Sequence, residues 1–217
     1  YRAVGNRCAV DVEVLAKAVG IPSEKALAIL RECGFRMLEV DLVALARGCV
    51  GVSQFRRGAR PDKAPQVVDC SSFVKWLYGQ LGVWLPRRTI QQYALGDRVE
   101  LPELAPGDLV FTSGYINYPI DGCYARGVGH VGMVTNDKTV IHAANKRAGV
   151  VESPLEWFLR NKEFRVARRY IPRDRQIITF ETPPERSVET ADDIRWIVAQ
   201  VVHPARRRRE EARRAAL

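Results

Sequence analysis

The sequence predicts an α+β fold: helices first, short antiparallel strands in the middle, and a helical extension at the end. Three observations carry this. Apolar residues recur at helical spacing as far as Leu81, strand-like runs rich in β-branched residues take over from residue 108, and one cysteine opens the best helix of the chain.

Taken in order, Val12, Leu15, Ala16 and Val19 lie at helical spacing until Gly20 and Pro22 stop the pattern. Ser23 is placed to cap a second helix carrying Ala26, Leu27, Ile29 and Leu30. These two helices make a small N-terminal unit over 1–38. Such helix pairs are common without DNA, so nucleic acid is not the expected partner. Leu42, Val43, Leu45 and Ala46 mark a third helix over 39–47, and Gly, Pro and charge make 51–66 a loop. In DCSSFVKWLYGQLGV, Phe73, Val74, Leu77 and Leu81 fall at helical spacings and Asp69 stands in the capping position. DLVF, GHVGMVT, TVIHAA and VVES then read as antiparallel strands, and FRVARRYI over 164–171 as a last one. Residues 112–129 read as a long loop of the kind that lines sites. The central domain therefore spans 39–172. Beyond it, TPPE reads as a linker, 189–202 as a helix and RRRREEARRAAL as a charged helical tail, so 173–217 is expected to be a linker and basic extension.

Composition narrows the function. In 217 residues, 47% hydrophobic and 27% charged content excludes wholesale disorder. The net charge of +9 favours anionic partners without choosing among them. No apolar run is long enough to span a membrane, and no charged stretch followed by an apolar block marks a secretory signal. The tail holds six Arg and two Glu and reads as a solvated helix with pairs such as Arg206–Glu210 and Arg207–Glu211, ahead of an arm for an anionic wall polymer. Of five cysteines (Cys8, Cys33, Cys49, Cys70 and Cys123), at least one lacks an intrachain partner, and the disulfide state of the others is open. With no CxxC and only three histidines, the spacing a zinc finger needs is absent.

Cys70 is the sharpest feature. At a helix start a thiol meets unshared N–H groups and the positive end of the macrodipole, so a lowered pKa is expected. A buried, inert cysteine is the plain alternative. His130 and His142 shift that balance. They stand twelve residues apart on strands joined near Asn136-Asp137, where antiparallel pairing can bring them together. A cysteine nucleophile needs a base in hydrogen-bond reach, and the base needs a group that fixes its tautomer.

DCSSFVKWLY, LAPGDLVF, GHVGMVT and TVIHAAN, in that order, resemble the NlpC/P60 cysteine peptidases over roughly 39–171. The resemblance implies a papain-like α+β fold, with the nucleophile on a helix packed against an antiparallel sheet. It implies Cys70 as nucleophile, His130 as base and His142 as the orienting residue, with no metal or organic cofactor. The implied substrates are amide bonds in peptidoglycan stem peptides, often after γ-D-glutamyl. An extracytoplasmic place follows from that substrate class alone. Substrate contacts are expected at Phe55, Arg57, Asp69, Ser71, Ser72 and Gly129. Two departures stand out. Ser72 replaces the glycine of the usual DCSG, and Phe55-Arg56-Arg57-Gly58-Ala59 replaces Y-x-[WY]-G-G, which removes a tyrosine hydroxyl at Phe55 and puts Arg57 in place of an aromatic ring. The same residues would serve an amidase, a transpeptidase or an acyltransferase. A non-catalytic module binding wall polymer or nucleic acid is the rival of another class. GVGHVG over 127–132 matches GxGxxG but runs into a strand, where a dinucleotide site needs a helix.

Overall fold

The computed structural model describes residues 1–136, 138–160 and 163–204, with the side chains of Tyr124 and Ala125 left aside. Two compact units emerge. One gathers Tyr1–Val40, Leu81–Trp84 and the chain from Arg173; the other holds Asp41–Gln80 and Leu85–Pro172. This differs from the three-part division expected above. The N-terminal segment and the chain beyond Pro172 share one sheet, because a strand in the supposed linker completes it.

In chain order the elements are β1 (Arg7–Asp11), α1 (Val12–Val19), α2 (Ser23–Glu32), β2 (Arg36–Leu38), α3 (Leu42–Arg47), β3 (Gln54–Phe55) and β4 (Val67–Val68). There follow α4 (Cys70–Gln80), α5 (Thr89–Tyr93), β5 (Asp97–Val99), β6 (Leu109–Thr112), β7 (Tyr118–Ile120), β8 (Cys123–Val128) and β9 (His130–Val134). The last are β10 (Thr139–Asn145), β11 (Gly149–Pro154), α6 (Leu155–Leu159), β12 (Phe164–Arg169), β13 (Ile177–Glu181) and α7 (Ala191–Val202).

In the first unit, β13 is the middle strand of a three-stranded antiparallel sheet between β1 and β2. Leu15, Ala16 and Val19 of α1, Ala26, Ile29 and Leu30 of α2, and Ile194, Ile197 and Val198 of α7 share a core with Cys8, Val10 and Phe180. Both N-terminal helices thus spend their apolar faces on this core. Gly20 ends α1 in the left-handed conformation at φ 75°, as its position in the sequence suggested. Ser23 does not cap α2. It is the first helical residue, and Pro22 precedes it with no side-chain cap.

The second unit is an α+β domain of papain-like type. Its six-stranded sheet has the order β11-β10-β9-β6-β12-β5, with every neighbouring pair antiparallel. α4 packs against β9 and β10, burying Phe73, Val74, Leu77 and Tyr78. The 112–129 stretch is not all loop. β7 and β8 pair as a hairpin, turning at Asp121 (φ 49°) and Gly122 (φ 74°). Two left-handed residues in a row suit the strand twist, and Asp-Gly is the dipeptide that tolerates them. The charged tail over 206–217, with its Arg206–Glu210 and Arg207–Glu211 pairs, and Asp137 of the β9–β10 turn lie outside the described residues. No disulfide joins any of the five cysteines.

Candidate active site

Cys70 is the first residue of α4, and its neighbour Asp69 organises that turn. Asp69 Oδ1 accepts from Ser72 N at 2.9 Å, while Asp69 N donates to Ser72 Oγ at 2.8 Å, a reciprocal cap. Asp69 also gathers the surrounding loops. Its Oδ2 accepts from Gly58 N at 2.9 Å and from Arg87 Nη2 at 2.5 Å. Arg87 Nη1 reaches Asp69 Oδ1 at 3.0 Å and Ser71 Oγ at 2.9 Å. Burial works against the charged form of Asp69, yet Arg87 and the Ser72 N–H outweigh it and hold the carboxyl below its usual range.

The sheet brings the histidines. His130 opens β9 opposite Thr112 of β6, and the register of β10 on β9 pairs Ile141 with Met133. His130 and Gly132 share a face of β9, and a Cβ built on Gly132 would stand 3.1 Å from His142 Cβ. The missing side chain at Gly132 therefore leaves the two rings free to meet diagonally across the strands. His130 Nε2 lies 2.8 Å from His142 Nδ1, and His142 Nε2 lies 3.0 Å from Ser153 Oγ on β11. Phe158 of α6 covers the pair, its ring centroid 5.8 Å from His130 and 4.8 Å from His142.

This chain of bonds accommodates a consistent proton pattern. If His130 Nε2–H donates to His142 Nδ1, then His142 Nε2–H donates to Ser153 Oγ, and His130 Nδ1 keeps its lone pair as a base. Burial depresses His130 to about 4. Burial, with the His130 charge added, depresses His142 to about 3. Both rings are therefore neutral at pH 7. Burial raises the Cys70 thiol, and the Asp69 charge raises it further; Thr89 Oγ1 at 3.8 Å and the N–H groups of Val131 and Ser71 act the other way and do not prevail. The lowered pKa expected from the helix start is thus corrected. Burial of the thiol is the larger cause, and the carboxylate one residue away adds to it. The resting pair is a thiol and a neutral imidazole.

Cys70 and His130 line one cleft of about 420 Å³, together with Phe55, Arg57, Asp69, Ser71 and Gly129. Ser72 does not reach it. That side chain is 2% exposed and used up in the cap, so its expected role in substrate contact is corrected. Gly129 serves close packing. Its carbonyl lies 3.9 Å from Cys70 Sγ, and a Cβ there would strike Ile116 O and meet Asn117 Oδ1 at 2.7 Å. His142 and Ser153 face an adjoining cleft of about 500 Å³, which His130 also lines. Sequence reasoning missed Arg87, Arg88, Thr89, Ser153 and Phe158. Alternation along VVES puts Ser153 on one face with Val151, a signal the sequence holds. The arginines of LPRRT carried no signal apart from charge.

Known proteins resemble this chain in sequence and in fold. The model of the NlpC/P60 family matches residues 54–169, and the chain belongs to that family. The Gamma-DL-glutamyl hydrolase of Bacillus subtilis (strain 168) is 25% identical over 177 residues, covering 73% of this chain and 40% of that protein. The probable endopeptidase NlpC of Escherichia coli (strain K12) is 37% identical over 103 residues, covering 47% of this chain and 61% of the other. The crystal structure of an NlpC/P60 family protein from Bacillus cereus ATCC 10987 superposes with a TM-score of 0.51 at 26% identity, covering 61% of this chain and 40% of that one. The chain spans less than two thirds of the length of each of these three. No helix among the described residues is long and apolar enough to cross a membrane.

Proposed function

We propose that the protein is a cysteine hydrolase cutting amide bonds in peptidoglycan stem peptides, taking a γ-D-glutamyl group as the acyl donor. The observation that carries this reading is the run from His130 through His142 to Ser153, with His130 lining the same cleft as Cys70. The name of the Bacillus subtilis relative supports the γ-glutamyl part of it.

Cys70 Sγ attacks the scissile carbonyl carbon as its proton passes to His130 Nδ1. The Cys70 N–H, at the positive end of α4, would stabilise the oxyanion. His142 shares the charge that develops on His130 and holds its ring. His130 then returns the proton to the leaving nitrogen, the C–N bond breaks, and a thioester remains on Cys70. Water, deprotonated by His130, attacks the thioester and releases the acid and the thiol. A wall substrate would put this activity outside the cytoplasm.

The test is digestion of defined muropeptides, read by mass spectrometry, with Cys70→Ala in parallel. Free acid from the wild type and none from the variant is expected. New amide products in place of acid would make it a transferase, and intact peptides throughout would favour a binding module.

A further inference from the structure

The cleft beside Cys70 is lined by three arginines, Arg57, Arg87 and Arg88, against one carboxylate, Asp69. Asp69 neutralises Arg87. Among the described residues, neither Arg57 nor Arg88 has a carboxylate partner: the Arg57 guanidinium lies 4.8 Å from the Tyr115 ring centroid, and the Arg88 contact is from its backbone N–H to Gln91. Both are tied to the nucleophile by their neighbours in sequence. Gly58 donates to Asp69, and Thr89 stands 3.8 Å from Cys70 Sγ. A guanidinium stacked on an aromatic face keeps its in-plane N–H groups for a carboxylate, and that geometry suits a two-pronged contact.

We propose that Arg57 and Arg88 are specificity-determining residues that select substrates with a free carboxylate beside the scissile amide. This rests on the γ-glutamyl reading above. An amide formed through the γ-carbonyl of glutamate leaves the α-carboxyl a few bonds away, charged when free and neutral when amidated. The cleft distinguishes the two forms by charge, through Arg57 where an aromatic ring would offer none. Tyr115, 90% exposed, is the platform that positions Arg57.

The test uses two stem peptides, identical except that the α-carboxyl of D-glutamate is free in one and amidated in the other. Turnover by the wild type and equilibrium binding to Cys70→Ala are both measured. The free form is expected to be favoured at least tenfold in kcat/KM and in Kd, with the preference shrinking between about 0.05 and 0.5 M salt as exposed charges are screened. In Arg57→Gln/Arg88→Gln the ratio should fall to within about twofold, and Tyr115→Ala should lower it in part. Thermal unfolding of each variant serves as the folding control. Equal treatment of the two peptides by the wild type, or a ratio unchanged in the double variant, would overturn the proposal. If Cys70→Ala prefers the charged peptide while the wild type cuts neither, charge selection stands and the hydrolase reading falls. If the wild type cuts both at equal rates, the reverse holds.

Discussion

At the residue scale the decisive quantity is where the protons rest. A raised Cys70 and a depressed His130 make a neutral pair, so the proton moves during attack and not before it. Alkylation of Cys70 at pH 6 should be no faster than that of a free thiol, and the rate should climb only as pH rises past the ordinary thiol range. Iodoacetamide rates followed by peptide mass spectrometry check this; fast labelling at pH 6 would mean a preformed thiolate. His130→Ala should abolish turnover, because His130 is the ring proposed to take the thiol proton. His142→Ala should leave a remnant, since that ring orients and shares charge. Ser153→Ala removes one hydrogen bond, of about 1 kcal/mol, and should slow kcat roughly fivefold with KM unchanged. Steady-state kinetics on one soluble stem peptide separates the three variants. Cys70, His130 and His142 were all legible in the sequence, since rare residue types on successive predicted elements carry much information. The thiol's protonation was not. It depends first on the burial of Cys70 and then on the Asp69 charge, and that burial comes from segments whose approach no local pattern reveals.

At the element scale the site depends on how β9 and β10 lie together. Gly132 is the tight point, where an added Cβ would collide with Val140 Cγ1 and crowd His142. Gly132→Ala should therefore cost about 1 to 3 kcal/mol of stability and lower activity by more than the stability loss explains. Thermal melts beside kinetics at a temperature where the variant is fully folded test this. Contact order explains which elements could be read. α1, α2, α4 and α7 carry their own period and stops, so their positions follow from local sequence. β1, β2 and β13 are short, and β13 pairs with β1 from the far end of the chain, so its partner lies beyond any window of residues. The β7–β8 hairpin was legible in principle. Asp121-Gly122 is its turn signal, but the flanking Tyr118-Pro119-Ile120 breaks the alternation that would have marked a strand.

At the scale of the whole molecule, two outcomes follow. Because β13 is the middle strand of the first unit's sheet, removing residues 173–217 should unfold that unit. Losing only 206–217 should leave the folding transition unchanged, because RRRREEARRAAL holds few apolar residues. Denaturant melts of the two truncations distinguish a built-in strand from a mere extension. The second outcome concerns acid. An unfolded histidine takes up its proton near 6.5, whereas His130 waits until about 4 and His142 until about 3. Between those values the unfolded chain binds more protons, so stability is full above 6.5 and falls as pH drops, by up to about 1.4 kcal/mol per pH unit for each ring. Unfolding free energies at pH 7 and pH 5 should show this slope, and His142→Gln should make it shallower. A slope unchanged in that variant would mean that His142 is not held neutral.

The central claim is that Cys70 becomes acylated by a γ-glutamyl group. Its most direct test is intact-protein mass spectrometry during turnover of a γ-D-glutamyl stem peptide, quenched in acid and followed by peptide mapping. The expected result is a transient mass increase equal to the acyl donor, located on Cys70 and absent from Cys70→Ala. Turnover that persists in Cys70→Ala, or an adduct on any other residue, would contradict the assignment.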